Sequence, residues 1–460
     1  MVKRSRKPQC EGALVNLALL GASSGPARSA GDIGHRYWAS LNNSAEPLIG
    51  GAKPARDAVR LQASSRGGTI PVVDNYDGTE GKRMNRTLWS AETKYSLGAS
   101  VCLAAVVGTS MLPTPAHALF SAEIGEHQTF NAMIMARTSF RSFEDGAPDG
   151  SSRSNDFTLE NMRLLFFGQA AENFTWQLHL DRDANNSVEI LDGIVGYEPN
   201  SWANFWVGRL IPPNSRTVIA APFASAPFDF TSAWRFPSKF QGRDDGVMIW
   251  GHDPDGKVNY KFSITEGRKG GSNDSDNLLY TGRVSYNFFE GEPGFYPSSF
   301  YSGNKRIVAL GASFAHQQDG AGTVGDEGDF QAFSVDLRVE WPLANGGSID
   351  FEGGYFDYDL DDVADPTFNA QGDAAYATVG YLLPGTYGPG RLEPRIAYDY
   401  FDGDNTNIAA ERGKTEKWDL GFRYLPKGNH DIRLSVFYSY IDPPNGSSFN
   451  GLTGRVHLLF

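Results

Sequence analysis

From Thr129 to Phe460 the chain repeats one pattern, a stretch of alternating apolar and polar residues followed by a turn. Period-two alternation puts each residue type on its own face of an extended strand. The segments fall at 128–143, 157–170, 173–182, 187–198, 202–211, 243–252, 256–265 and 278–288. They continue at 306–318, 329–341, 347–359, 374–383, 391–402, 416–425, 430–441 and 451–460. Late in the chain the two faces separate cleanly. Phe333, Val335, Leu337, Val339 and Trp341 oppose Ser334, Asp336, Arg338 and Glu340. Leu452, Gly454, Val456, Leu458 and Phe460 oppose Thr453, Arg455 and His457. A soluble sandwich alternates too, with its apolar face inward, so the pattern alone leaves open which face is wet.

Sixteen segments is an even number, and their lengths suit tilted membrane strands of about 9–11 residues. Connection lengths also alternate. The short set includes 170–173, 199–201, 253–255, 342–346 and 426–429; the long set includes 144–156, 212–242, 266–277, 319–328, 360–373 and 403–415. Short periplasmic turns and long outer loops are the habit of outer-membrane barrels. One connection, 289–305, is long where a short one is expected. The expected fold is all-β: a 16-stranded antiparallel transmembrane β-barrel.

The longest apolar run, Ser96–Leu112, follows Arg86 and Lys94 and precedes Ala116-His-Ala118. A basic flank, an apolar stretch and an Ala-x-Ala site make a secretory signal peptide over 84–118, with Met84 in the initiator position. Residues 1–83 lack sustained periodicity and read as a non-native or disordered extension, leaving 119–460 as the barrel. Phe460 ends the last strand, where outer-membrane barrels carry the residue their assembly machinery reads.

Composition narrows the class. Fifty-two glycines, 13% aromatics and a mean hydropathy of −0.37 are too polar for a helical membrane bundle. Both cysteines, Cys10 and Cys102, precede residue 119, so the barrel region has no disulfide, thiolate or Cys-ligated metal. The net charge of −13 falls to about −19 over 119–460, which argues against nucleic acid as a partner. No Gly-x-Ser-x-Gly, His-Glu-x-x-His or phosphate-binding Gly loop occurs. Asp357-Tyr-Asp-Leu-Asp-Asp362 begins like a calcium loop but lacks the Gly at its sixth position and the Glu at its twelfth. No metal or cofactor is expected. His179, His316 and His457 read as lumen or interface residues.

The stretch from Asn161 to about Gly251 resembles the phosphate-selective porin O/P family. The residues that carry it are Arg163-Leu-Leu-Phe-Phe-Gly168, Trp176-Gln-Leu-His-Leu-Asp181, Val195-Gly-Tyr197, Val207-Gly-Arg-Leu-Ile-Pro212 and Arg243-Asp-Asp-Gly-Val-Met248. The resemblance implies a trimeric porin whose long third loop, 212–242, folds into the lumen. In anion-selective members, rows of Arg and clustered Lys create the preference. This chain lacks a Lys-rich cluster and is acidic, so phosphate selectivity does not carry over directly.

Arg216, Arg235, Lys239 and Arg243 make 212–242 locally basic, either as a constriction that favours anions or as cations pinned by lumen carboxylates. Its aromatics, Phe223, Phe228, Phe230, Trp234, Phe236 and Phe240, read as the loop's own packing. Arg163, Arg283, Arg338, Arg395, Arg423 and Arg455 fall on the lumen faces. They read as an anion ladder or, with carboxylates such as Asp336 and Glu340 nearby, as one half of a mixed lining. The expected function is an outer-membrane porin passing small hydrophilic solutes or ions, with an anion (phosphate) preference open. Its expected partners are outer-membrane lipid and lipopolysaccharide, the barrel assembly machinery, two further copies in a homotrimer, and small solutes or anions. The competing classes are a secreted soluble β-protein binding or hydrolysing carbohydrate, and an outer-membrane barrel enzyme.

Overall fold

The computed structural model describes residues 120–144, 152–183, 186–231, 242–363, 371–403, 413–444 and 446–459. Seventeen strands follow in order: β1 Phe120–Gly125, β2 Gln128–Phe143, β3 Ser154–Ala171, β4 Phe174–Asp183, β5 Val188–Tyr197, β6 Asn204–Leu210, β7 Asp244–His252, β8 Val258–Thr265 and β9 Leu279–Asn287. Then come β10 Ile307–Thr323, β11 Asp326–Pro342, β12 Ser348–Asp359, β13 Gly372–Leu382, β14 Arg391–Gly403, β15 Gly413–Leu425, β16 Ile432–Asp442 and β17 Phe449–Leu459. Among the described residues one helix, α1 (Arg216–Ala224), follows β6. No helix among the described residues is long and apolar enough to cross a membrane.

Each strand from β2 to β17 pairs antiparallel with its sequence neighbour. The ring closes where β17 meets β2, with Leu459 opposite Met135 and Gly451 opposite Phe143. Closure leaves no sheet edge, the condition for a sheet to sit in lipid. Strand β1 lies outside the sixteen. It pairs with the first residues of β2, Phe120 opposite Ala132, on the edge that β17 takes from Met135 onward. Its six residues, five of them exposed, alternate Phe120, Ala122 and Ile124 against Ser121 and Glu123, but they fall short of the ~9–11 residues of a membrane strand.

The fourteen other spans follow the expected segments closely, and β10–β11 departs. The expected loop 319–328 is a hairpin instead, with Thr323 opposite Asp326 across Val324-Gly325. Gly325 supplies the positive φ of 86° that so tight a turn needs. The polar residues there extend two long strands rather than ending them.

Burial settles which face is wet. On β11, Phe333, Val335 and Leu337 are exposed while Ser334, Asp336, Arg338 and Glu340 are buried. The same inversion holds for Val195, Val207, Val247, Val284 and Leu420, all exposed on strand walls. A water-soluble sandwich would bury these side chains, so the soluble reading is overturned. The apolar surface faces outward, as lipid requires, and the polar residues face the interior.

Candidate functional site

Because successive side chains alternate across each strand, every inward position is reached by counting in twos from a known one. The six expected arginines are all inward and buried. Each stands beside a carboxylate. Arg163 meets Asp181 at 3.0 Å, and Arg283 grips both oxygens of Asp336 at 2.6 and 2.8 Å. Arg338 lies between Glu340, at 2.9 Å, and Asp350; Arg395 lies between that same Asp350 and Glu393, at 2.6 Å. Arg423 is 3.8 Å from Glu393, and Arg455 bridges Glu160 at 2.9 Å and Asp229 at 3.0 Å. Fork-shaped guanidinium groups suit such shared, near-bidentate pairing.

The segment after β6 meets the same inward faces. The Arg216 backbone N–H donates to Asp336 of β11 at 3.2 Å, and Ser334 donates to the carbonyl of Asn214 at 3.1 Å. Arg433 donates to the carbonyl of Phe223. Arg423 donates to those of Ala226 and Pro227, each at 2.7 Å, and Arg455 to that of Phe228 at 2.5 Å. Asp229 accepts from Arg141 of β2 at 3.4 Å. The wall's cations thus satisfy the carbonyls of an irregular segment that would otherwise be stranded.

Arg216 is buried and clasped. Its guanidinium donates to both oxygens of Glu292 at 2.8 and 2.5 Å and to the Ser298 carbonyl at 2.5 Å, with Glu352 3.6 Å away. Burial opposes its charge, but Glu292 and Glu352 outweigh that and hold it firmly protonated. Glu292 is likewise penalised by burial, yet Arg216 keeps its carboxyl below the usual range. Burial also opposes the Asp229 charge, and Arg455 and Arg141 overcome it. Arg243 meets Asp192 at 3.0 Å, and the same carboxylate takes His179 at 2.7 Å. Arg235, Lys239, Trp234, Phe236 and Phe240 lie outside the described residues, as do Ala116, Ala118 and Phe460.

The structure places the remaining residues. Phe223, Phe228 and Phe230 pack against the wall. Phe228 stacks on Phe437 of β16 with centroids 4.6 Å apart, Phe223 lies under Arg163 and Phe230 under Arg137. Of the three histidines read as lumen or interface residues, His316 lies on the outward face, and His179 and His457 are inward and buried. Several inward charges escaped notice: Arg137, Arg141, Lys261 and Arg433, and above all Glu292. Strand parity finds the first four, since Arg137 and Arg141 share a face with Ser139, and Arg433 shares one with Ser435. No such rule reaches Glu292, which sits in a connection.

The segment between β9 and β10 is as closely packed. Phe295 meets Trp206 and Trp250 at centroid distances of 4.5 and 5.8 Å. Phe300 stacks on His430 at 3.9 Å, and Arg423 and Arg433 approach its ring at 4.9 and 5.0 Å. Burial and the neighbouring Arg433 and Arg423 keep His430 neutral, well below its usual range.

Residues 302–446 match the family model described as phosphate-selective porin O and P. That span begins beyond the stretch 161–251 on which the sequence resemblance rests. No curated protein sequence matches the chain. Among solved structures, an anion-selective porin from Comamonas acidovorans is similar at 11% identity, covering 72% of this chain and 100% of its own, with a TM-score of 0.50. The outer membrane channel DcaP of Acinetobacter baumannii is similar at 14% identity, covering 74% and 100%, with a TM-score of 0.47. At 11% identity the likeness to the Comamonas porin speaks for the fold alone, and the family match adds the class. The chain is an outer-membrane porin, a closed barrel of sixteen antiparallel strands whose residues 302–446 match the phosphate-selective porin O and P family.

Proposed function

We propose that this porin passes small hydrophilic solutes and ions by diffusion, through a lumen narrowed by the segment 211–231, with Arg216 and Arg243 at the narrowing. The observation that carries the reading is a chord. Arg216 meets Asp336 on β11, and Asp229, thirteen residues later, meets Arg141 on β2. Those strands are seven places apart in a ring of sixteen, nearly opposite one another. A chain that touches both crosses the interior. The family match over 302–446 supports a channel over an enzyme.

The carboxylate beside each of Arg163, Arg283, Arg338, Arg395, Arg423 and Arg455 favours a mixed lining, whose field orients solutes more than it selects among them. An anion preference is the second reading. Arg423 and Arg433 are buried beside one ring, that of Phe300, and Arg433 has no ion-pair carboxylate among the described residues, its Nε lacking a hydrogen-bond partner there. The same proposal has the mature chain begin at Leu119, close on Phe460 as its assembly signal, and associate as a homotrimer.

Reversal potentials in asymmetric KCl across a planar bilayer test it. Fixed charge in a narrow passage governs permeation, whereas loop charge is screened beyond ~8–10 Å at physiological salt. Replacing Arg216, Arg235 and Lys239 together by Glu is expected to move the potential toward cations. Replacing Asp357, Asp359, Asp361 and Asp362 by Asn is expected to leave it nearly unchanged. The opposite pair of results would move selectivity to the outer loops and refute the proposed narrowing.

A further inference from the structure

The connection between β9 and β10 lies at the short-turn end of the barrel, where the neighbouring turn 253–257 is five residues long. It is itself nineteen residues long, 288–306, and it does not stay at that end. Gln177 of β4 donates to the Tyr296 hydroxyl at 3.2 Å, and Ser299 donates to Glu352 of β12. β4 and β12 are eight places apart in the ring of sixteen, which is diametrically opposite. Three residues of chain span at most about 10 Å, so the backbone runs well inside the wall and the side chains bridge the remainder.

Two more contacts join this segment to the one that follows β6. Glu292 takes both guanidinium arms of Arg216, and the Ser299 N–H donates to the Ala224 carbonyl at 3.0 Å. Around Glu292 the site is complete: the Tyr301 hydroxyl donates to it at 2.6 Å, and both ionised partners are buried. A buried carboxylate with three charge-assisted or hydroxyl partners is hard to separate, because removing one partner leaves the other charged and dry. The cation that the sequence puts forward for selectivity is therefore neutralised at its own position.

We propose that 288–306 is a second lumen insert, entering from the mouth opposite to that of 211–231, and that the two are clasped at Arg216–Glu292 so that together they form the narrowest section. The proposal rests on the reading of the barrel as a pore. Glu292 is its positioning residue: it touches no solute of necessity, but it holds the two inserts at one separation. Tyr301 and Ser299 secure the same joint from the second insert, through Glu292 and through the Ala224 carbonyl.

The absence of cysteine from 119–460 makes a direct test clean. In the full barrel reconstituted in planar bilayers, Glu292→Gln is expected to raise single-channel conductance roughly twofold and add current noise, as a constriction held by one joint loosens. Adding Ala224→Cys and Ser299→Cys to that variant restores a covalent joint beside the lost one. Oxidation is then expected to return conductance to the wild-type level, and reduction to raise it again. A merely structural role for Glu292 would not give a reversible conductance that follows the thiol state. Should Glu292→Gln fail to fold, Tyr301→Phe removes one hydrogen bond from the same carboxylate and is expected to give a smaller rise in the same direction. Failure of the disulfide to form in folded barrels would overturn the apposition of the two inserts. A disulfide that forms while every variant conducts like wild type would overturn the clasp but leave the pore standing. No conductance in any state would overturn the pore reading and the clasp with it.

Discussion

Asp229 and Glu292 show how this interior treats charge. Each is a carboxylate with almost no contact with water, and burial alone would favour its neutral form. Arg455 and Arg141 face Asp229, and Arg216 faces Glu292, so both carboxyls stay ionised below their usual range. A group whose folded value lies below its free value adds stability that is complete above the free range. That stability is lost as pH falls through the folded value. Free carboxyls titrate near about 4. Conductance is therefore expected to stay flat from neutral pH down to that range and to change only below it. Single-channel recordings in a stepped pH series check this. A step between pH 6 and 5 would show that some other group governs the joint. These two residues were not equally legible. Asp229 stands in a loop that its length alone marks out, whereas Glu292 sits in a connection remarkable only for being too long.

At the scale of elements, β6 is the strand after which the proposed insert begins. It has only seven residues, and its inward side reads Asn204, Trp206, Gly208, Leu210. Gly208 has a φ of 123°, and a Cβ there would lie 2.0 Å from the Gly193 carbonyl oxygen of β5. Neither the backbone angle nor the space tolerates a side chain. Gly208→Ala is expected to cost about 1–3 kcal/mol from strain at that backbone angle, more if β5 must shift. Heat-modifiable gel mobility after refolding reads the loss as a smaller folded fraction. An unchanged fraction would mean that β5 and β6 adapt freely. Strand boundaries were largely legible because alternation is a local property of the chain. The long β10–β11 hairpin was not, because polar residues that continue a strand above the membrane look the same as a polar loop.

For the whole molecule, the decisive fact is the inversion of inside and outside. Leu337 is 37% exposed on β11, between Asp336 and Arg338, both buried. In a soluble protein an exposed Leu→Arg change usually shifts stability by no more than about 0.5 kcal/mol. On a lipid-facing wall the same change costs roughly 2–4 kcal/mol near the bilayer midplane. Leu337→Arg is expected to show the larger cost in urea titrations of the barrel folded into vesicles. A cost within the soluble range would argue that this wall meets no lipid. By itself the sequence determined the strand count, the parity of each inward residue, the alternation of short and long connections and the outward destination of the apolar set once a membrane is assumed. These follow from the period of an extended chain and from the need to satisfy every backbone group. Only the tertiary structure decided that the ring closes at β17 and β2, that every inward arginine it had singled out stands beside a carboxylate, and that Arg216 meets Glu292. Arg216 and Glu292 stand 76 positions apart along the chain, and Arg455 and Glu160 stand 295 apart. Their partners are chosen by closure of the ring, which no local pattern encodes.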